Sequence, residues 1–245
     1  MTGTGPAELL ALWEAGQSRD DAGRAALLHA AAHPETGGRE LPAVPVGERE
    51  ADLFALRLAL FGPRMELRAE CGDCAEPLEF DLDVEGAARA PRPGRDPLRA
   101  ESGGWAAEFR LPTVADLTAV ASATGDPGEA KLLLLERCTA SATRDGAPVP
   151  VRQLPDGLRQ RMAEAAALAA PAADTTVDIT CPACGTGTRA ALDIAACLWA
   201  ELDAWARDTL LDVHLLAGAY GWSEPEILAL SPLRRRYYLE LCADG

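Results

Sequence analysis

The sequence predicts a mostly α-helical α+β protein whose helical parts are joined by a small zinc-ribbon-like β element. Helix is favoured because aromatic residues make up only 5% of the chain and because long stretches repeat apolar residues every three or four positions. The β element is indicated by two Cys-x-x-Cys knuckles, Cys71 to Cys74 and Cys181 to Cys184, each set between strand-like runs. We therefore expect helical bundles combined with two short hairpins.

The N-terminal region, residues 1–66, is predicted to be helical. The stretch PAELLALWEAG ends at Gly16, a typical helix stop, and SRDDAGRAALLHAAAH follows with Ser18 as the expected N-cap. A third stretch, GEREADLFALRLALFGP, places leucines at helical spacing and ends at a Gly-Pro pair. Three helices are expected before the first knuckle.

The middle of the chain divides into four segments by composition and pattern. They are the first knuckle with its strand (67–84), a loop or linker rich in Pro, Gly and Arg (85–104), a strand with a helical insertion (105–170), and the second knuckle with its strand (171–194). Within the insertion, Thr113 and Asp126 stand where helix N-caps are expected.

The C-terminal region, residues 195–245, has the strongest helical pattern. One apolar stripe is formed by Trp199, Leu202, Ala206, Leu210, Val213, Ala217 and Tyr220. Gly221 is predicted to end this helix, Ser223 and Glu226 form a capping box for the next, and Pro232 begins the last.

The paired cysteines are the candidate metal ligands. Four thiolates in two tight turns suit tetrahedral zinc, so Cys71, Cys74, Cys181 and Cys184 are predicted to hold one structural ion. An iron site can also use four thiolates. A thioredoxin-like dithiol is a further alternative, although that motif precedes a helix and both pairs here precede strand-like sequence. The remaining cysteines are expected in the core: Cys138, Cys197 and Cys242.

Signatures of catalysis are missing from the sequence. It contains no Gly-rich phosphate loop and no nucleophile–base motif, and a closed metal site leaves no position for a substrate water. His29 and His33 are four residues apart but lack the zinc-protease signature, which favours surface or helix-end histidines. We expect a protein that is not an enzyme and has no small-molecule substrate.

Charge and hydropathy restrict the partners and the compartment. A formal net charge of −15 opposes binding to nucleic acid phosphates, and Lys131 is the only lysine. No run approaches the roughly 20 apolar residues that span a bilayer. A cytoplasmic protein without a nucleic acid or membrane partner is expected.

Candidate partner-binding residues lie in the C-terminal helices, because Trp, Tyr and Arg are enriched in binding hot spots. They are Trp199, Trp205, Trp222, Arg234, Arg235 and Tyr238. The alternative interpretation places the tryptophans in the core and LRRRYYLEL on a solvated helix face.

Several stretches in order resemble the T4-type phage baseplate hub assembly chaperone family of contractile tails and phage-tail-like injection systems. They are LLALWEAG, LPAVPVGEREADLFALRLALFGP, CGDC, FRLPTVADL, CPACG and LDIAACLWAELDAWARDTLLDVHLLAGAYGWSEPEILALSPLRRRYYLEL. The resemblance covers most of the chain apart from the loop between the halves. It implies a non-enzymatic assembly factor or baseplate component whose partners are baseplate or tail-hub proteins. The resemblance leaves open whether the protein remains in the finished particle. The rival functions are a zinc-ribbon nucleic-acid-binding regulator and a dithiol redox protein.

Overall fold

A computed structural model describes residues 5–35, 40–89, 91–94 and 96–243, and these form an α+β protein in which helix predominates. The helices are α1 (Pro6–Gly16), α2 (Asp21–Ala32), α3 (Val46–Phe61), α4 (Glu85–Ala88), α5 (Val114–Ala123), α6 (Pro127–Cys138), α7 (Asp156–Ala169), α8 (Ile194–Tyr220), α9 (Glu224–Leu228) and α10 (Pro232–Ala243). The strands are β1 (Arg64–Glu70), β2 (Pro77–Asp83), β3 (Leu98–Ser102), β4 (Trp105–Phe109), β5 (Thr139–Arg144), β6 (Ala147–Pro148), β7 (Thr176–Thr180) and β8 (Gly187–Ala191). The predicted α+β class with a majority of helix is confirmed.

The chain divides into two compact units. The terminal unit combines residues 1–31 with residues 195–245, and the middle unit comprises residues 32–194. The first two helices therefore belong with the last three, whereas the sequence had grouped them with α3 in one N-terminal region. Sequence adjacency suggested that grouping, but tertiary contacts decide it.

Packing in the terminal unit joins its two chain segments. Leu10 from α1, Ala206 from α8 and Leu228 from α9 share an apolar cluster. Beside it, the Trp13 indole Nε1 donates a hydrogen bond to Asp203 Oδ1 over 2.7 Å. Trp13 and Asp203 are 190 residues apart in the sequence. Contacts of this kind therefore stabilise the tertiary structure rather than a single helix.

The apolar stripe of α8 was predicted well at its start and wrongly towards its end. Leu202 and Ala206 are buried as expected, but further along Thr209 and Leu216 are buried, while Leu210 and Tyr220 are exposed. The buried residues Leu202, Thr209 and Leu216 are seven residues apart, so the core-facing stripe also repeats every 3.5 residues. The prediction chose the apolar Leu210 over the adjacent polar Thr209, and from there it followed the neighbouring side of the helix.

The middle unit contains an antiparallel sheet of strand order β3-β4-β5-β6. Its buried face, including Ala107 and Phe109, packs against Leu158 and Met162 of α7. The sequence analysis missed the β3–β4 and β5–β6 hairpins. The predicted loop 85–104 is wrong in part, because α4 and β3 lie within it. The turn residues Gly103 and Gly104 both have positive φ, 55° and 81°, so they return β3 onto β4. Residues 90 and 95 of that predicted loop lie outside the described residues.

The helix caps were mostly predicted correctly. Thr113 accepts a hydrogen bond from the Asp116 amide over 3.3 Å, and Asp126 accepts one from the Glu129 amide over 2.7 Å. The predicted cap at Ser18 is wrong. Asp20 takes that role, because its Oδ1 accepts from the amide N of Gly23 over 2.8 Å and a carboxylate there also favours the helix dipole.

Buried polar contacts position the first hairpin on α3. The Arg57 guanidinium is buried and donates to the carbonyl oxygens of Gly62 and Arg64, the latter over 2.6 Å. The Val84 amide, just after β2, donates to the Pro63 carbonyl over 3.0 Å. Both ends of the β1–β2 hairpin are thereby attached to the end of α3.

In the part of the chain that the structure describes, the helices are each too short or too polar to cross a lipid bilayer.

Candidate metal centre

Both Cys-x-x-Cys sequences form the turns of two-stranded antiparallel hairpins. The β1–β2 register ends with Glu70 opposite Pro77, and the β7–β8 register ends with Thr180 opposite Gly187. Each pair of strands therefore presents its two cysteines at one tip. A redox pair of the thioredoxin type would instead stand at the start of a helix.

The two turns have the same backbone hydrogen bonds. In the first, the Cys71 amide donates to the Glu76 carbonyl and the Ala75 amide donates to the Cys71 carbonyl, both over 2.9 Å. The second turn repeats these bonds at 2.9 Å, from Cys181 to Thr186 and from Gly185 to Cys181. The two knuckles are thus the same local structure formed twice.

A left-handed residue follows the second cysteine of each pair. Gly185 has φ 74°, and Ala75 has φ 57°. Glycine adopts this conformation freely, whereas a side chain there costs about 1–2 kcal/mol. The second knuckle is therefore the less strained of the two.

The four sulfurs converge, which confirms the prediction that the two pairs meet. Cys71 Sγ lies 3.6 Å from Cys184 Sγ, and Cys74 Sγ lies 3.7 Å from Cys181 Sγ. All four lie within 4.8 Å of one another. Sulfurs at about 2.3 Å from a tetrahedral ion are about 3.8 Å apart, so this arrangement fits a metal. The distances far exceed a disulfide bond of about 2.05 Å, and all four thiols are free.

Burial of the cluster is one-sided. Cys71 and Cys181 are buried together with Leu78, and Ala69 and Ile179 pack against them. Cys74 and Cys184 are exposed. The first cysteine of each knuckle therefore faces apolar side chains, while the second faces outward.

Hydrogen bonds at the cluster favour thiolates at some positions. The hydroxyl and amide of Thr186 lower the pKa of Cys184 to about 6, and the Cys74 amide contributes most to lowering the pKa of Cys71. The Glu76 amide acts in the same direction on Cys74, but the neighbouring sulfurs, led by Cys184, raise its pKa to about 12. Adjacent thiolates repel, and a bound cation would remove that repulsion.

A direct contact between the two knuckles was missed by the sequence analysis. The Thr186 hydroxyl donates to Asp73 Oδ2 over 3.2 Å, although 113 residues separate them. The sequence offered one indication of this contact, which was the position of the two residues. Asp73 lies inside the first Cys-x-x-Cys, and Thr186 lies two residues after the second. This contact adds a polar link on the exposed side of the sulfurs.

A cavity of about 460 Å³ in the middle unit is the main alternative site. His33, Asp52 and Arg110 are among the residues that line it. Their charged groups are already paired, since His33 Nε2 lies 2.6 Å from Asp52 Oδ2 and Arg110 Nη2 donates to Asp116 Oδ1 over 3.0 Å. The polar groups of these three residues therefore stabilise the middle unit through their contacts with one another and with Asp116.

The remaining histidine and cysteine predictions had mixed outcomes. His29 is buried in the last turn of α2, so it meets the helix-end part of the prediction but not the surface part. Cys138 is buried as predicted, and its burial raises its pKa to about 11. Cys197 and Cys242 are only partly buried.

The candidate partner-binding residues are distributed over core and surface. Trp199 and Arg235 are each 8% exposed, so these two contribute to the core of the terminal unit rather than to a contact surface. Three are partly buried: Trp205, Trp222 and Tyr238. Arg234 is exposed. Trp199 contacts Gly16 and lies under the Arg24 guanidinium, 4.9 Å from its ring centroid, which explains its burial.

Comparison with protein-family models, with curated proteins and with solved structures finds no match for this chain.

Proposed function

We propose that this chain is a non-enzymatic assembly factor or component of a contractile phage-tail-like baseplate, stabilised by one structural zinc ion on four cysteines. The observation that carries the metal part is the convergence of Cys71, Cys74, Cys181 and Cys184 within 4.8 Å. The baseplate part is supported by the order of sequence pieces that resemble the hub assembly chaperone family.

The donor set favours zinc in a structural role. Four thiolates complete a tetrahedral shell, so no coordination position is left for a substrate or an activated water. Zinc bound there would connect the β1–β2 hairpin to the β7–β8 hairpin. Metal binding would then contribute folding free energy to the middle unit, because the unfolded chain has no preformed site.

An assembly role fits a protein that works through its surface. The polar groups of His33, Asp52 and Arg110 at the cavity are used in internal contacts, and the net charge of −15 disfavours nucleic acid. Baseplate or tail-hub proteins are the expected partners. They would be bound through contacts between folded surfaces.

The metal is tested by elemental analysis of the purified chain, with one zinc per chain expected. Cobalt substitution should give the absorption of a tetrahedral tetrathiolate site. Cys74→Ser together with Cys71→Ser should abolish stoichiometric binding, whereas Cys138→Ser, a buried thiol of the same unit, should leave one ion bound. Iron in place of zinc would correct the metal, and an absence of bound metal would refute the site.

The assembly role is tested by searching the neighbouring genes for baseplate hub and wedge proteins and co-expressing the chain with those found. Co-purification with one of them is expected, and deletion of the gene should leave particles without a complete baseplate. Complete particles in the deletion strain, with no binding to any hub or wedge protein, would refute the role. Those results leave the metal measurement unaffected, so the two halves of the proposal fail separately.

A further inference from the structure

The sulfurs of the candidate metal centre make two close contacts, and each contact joins the two knuckles. Cys71 Sγ lies 3.6 Å from Cys184 Sγ, and Cys74 Sγ lies 3.7 Å from Cys181 Sγ. The two contacts share no sulfur, so together they use all four thiols. They connect positions 113 and 107 residues apart, and both run from the β1–β2 hairpin to the β7–β8 hairpin.

Each close pair contains one exposed and one buried sulfur. Cys74 and Cys184 are exposed, whereas their contacts Cys181 and Cys71 are buried beside apolar side chains. The oxidation of cysteine depends on exposure, so an oxidant in solution reaches the second cysteine of each knuckle first. The thiol in contact with that cysteine belongs to the other knuckle and is shielded from the oxidant.

We propose that this centre is a redox switch, in which a peroxide replaces the zinc ion with two disulfides between the knuckles. The bonds formed are Cys71 to Cys184 and Cys74 to Cys181. This inference rests on the zinc part of the proposed function, because zinc holds the four thiolates together until the oxidant arrives. It adds a second, covalent way of joining the same two hairpins.

The exchange consists of the same two reactions at each pair. The exposed thiolate attacks hydrogen peroxide, breaks its O–O bond and becomes a sulfenic acid, and the hydroxide that leaves takes up a proton to form water. The buried thiolate then attacks the oxidised sulfur, forms the S–S bond and displaces a second hydroxide, which is also protonated. Two peroxides and four protons therefore convert four thiolates into two disulfides and four waters, and zinc leaves as the free dication.

Forming these bonds requires little movement. A disulfide bond is about 2.05 Å long, so sulfurs 3.6 Å apart must approach by about 1.6 Å, which is less than about 1 Å for each side chain. The first disulfide removes two of the four ligands on which a structural zinc site depends. The other two sulfurs are already in contact, so the second disulfide forms once the ion has left.

The switch keeps the middle unit cross-linked while it changes the chemistry of the cross-link. Thiols remain reduced in the cytoplasm, where they can hold zinc, whereas disulfides persist in oxidising surroundings. The same four cysteines would thus join the two hairpins in either environment. Disulfides within each knuckle would have the opposite effect, because they would release zinc and leave the hairpins without a link.

The test exposes the zinc-loaded chain to hydrogen peroxide. Zinc release is followed with a chromogenic chelator, and the disulfides are mapped by tryptic digestion and mass spectrometry without reduction. The first knuckle lies in tryptic peptide 69–89 and the second in peptide 162–189. Disulfides between the knuckles should join these two peptides, and fragmentation should locate the bonds at the contacting cysteines. Disulfides within the knuckles would leave the peptides separate.

Paired serine variants examine which sulfurs react. In Cys74→Ser with Cys181→Ser, the contacting pair of one exposed and one buried cysteine remains, and peroxide should join the two peptides. In Cys74→Ser with Cys184→Ser, both remaining cysteines of the site are buried, so joining should be far slower. Cys138→Ser removes a buried thiol outside the site and should behave as the native chain does. If a paired variant does not fold, the peptide map of the native chain decides by itself.

Joined peptides together with the release of one zinc per chain support the switch. In excess chelator, the oxidised chain should then unfold at a higher guanidinium concentration than the reduced chain. Separate peptides, or bonds from Cys71 to Cys181 and from Cys74 to Cys184, overturn the proposed pairing but leave the zinc site intact. Zinc that stays bound in peroxide, with its four thiols unmodified, also overturns the switch alone. A chain purified without metal refutes the zinc site and the switch together.

Discussion

Removal of the first knuckle should cost the middle unit a large part of its stability. The perturbation is Cys71→Ser with Cys74→Ser, which leaves only the second pair of thiolates. A bridge from Cys74 to Cys181 encloses 106 residues. By the loop-closure argument used for disulfides, a cross-link that closes a loop of about 100 residues lowers the entropy of the unfolded chain. This raises the free energy of unfolding by about 4.7 kcal/mol at 25 °C.

That figure is a lower bound for the metal-loaded protein, because structural zinc sites have apparent binding free energies of about 10–16 kcal/mol at pH 7. Folded domains are stable by only about 5–15 kcal/mol. The double serine variant should therefore leave the middle unit marginally stable or unfolded at 25 °C.

Guanidinium unfolding followed by circular dichroism, with metal release followed by a chromogenic chelator, measures this loss. The native chain and Cys138→Ser are the references. The latter removes a buried thiol of the same unit and should cost about 1 kcal/mol. The double variant should lose at least about 4 kcal/mol. A loss of about 1 kcal/mol, equal to that of Cys138→Ser, would refute the cross-link.

Three further predictions concern packing, ionisation and redox chemistry. Gly16→Ala should destabilise the terminal unit by about 1–3 kcal/mol, because a Cβ there would lie 2.2 Å from the Trp199 ring. The control Gly218→Ala adds a Cβ that meets no atom within 4 Å, so it should stabilise α8 by about 1 kcal/mol. Equal effects of the two substitutions on thermal unfolding would contradict this prediction. Arg110 holds the pKa of the buried Asp116 below its usual value, so the stability that the Asp116 carboxylate contributes above about pH 4 should be lost as pH falls further. In Asp116→Asn, the free energy of unfolding measured against pH should change less over that acidic range. The metal-loaded chain should not reduce insulin with dithiothreitol; turnover would support the dithiol alternative.

Local patterns predicted much of the secondary structure. The capping residues Thr113 and Asp126 were correct because a side chain three positions before an amide reaches it wherever the helix lies in the fold. The two knuckles were correct for the same reason, since their turn is determined by hydrogen bonds within six residues. Strand β3 was missed because its five residues acquire their pairing only from β4.

The sequence by itself determined the α+β class, the two Cys-x-x-Cys turns and most helix ends, all of which depend on residues close together in the chain. Tertiary structure alone decided that Cys71 faces Cys184, that α1 and α2 pack with α8, and that Trp199 is buried. The physical reason is that spacing along a chain specifies local backbone hydrogen bonds. Contacts across a hundred residues instead depend on which apolar surfaces close over one another, and periodicity alone does not contain that information.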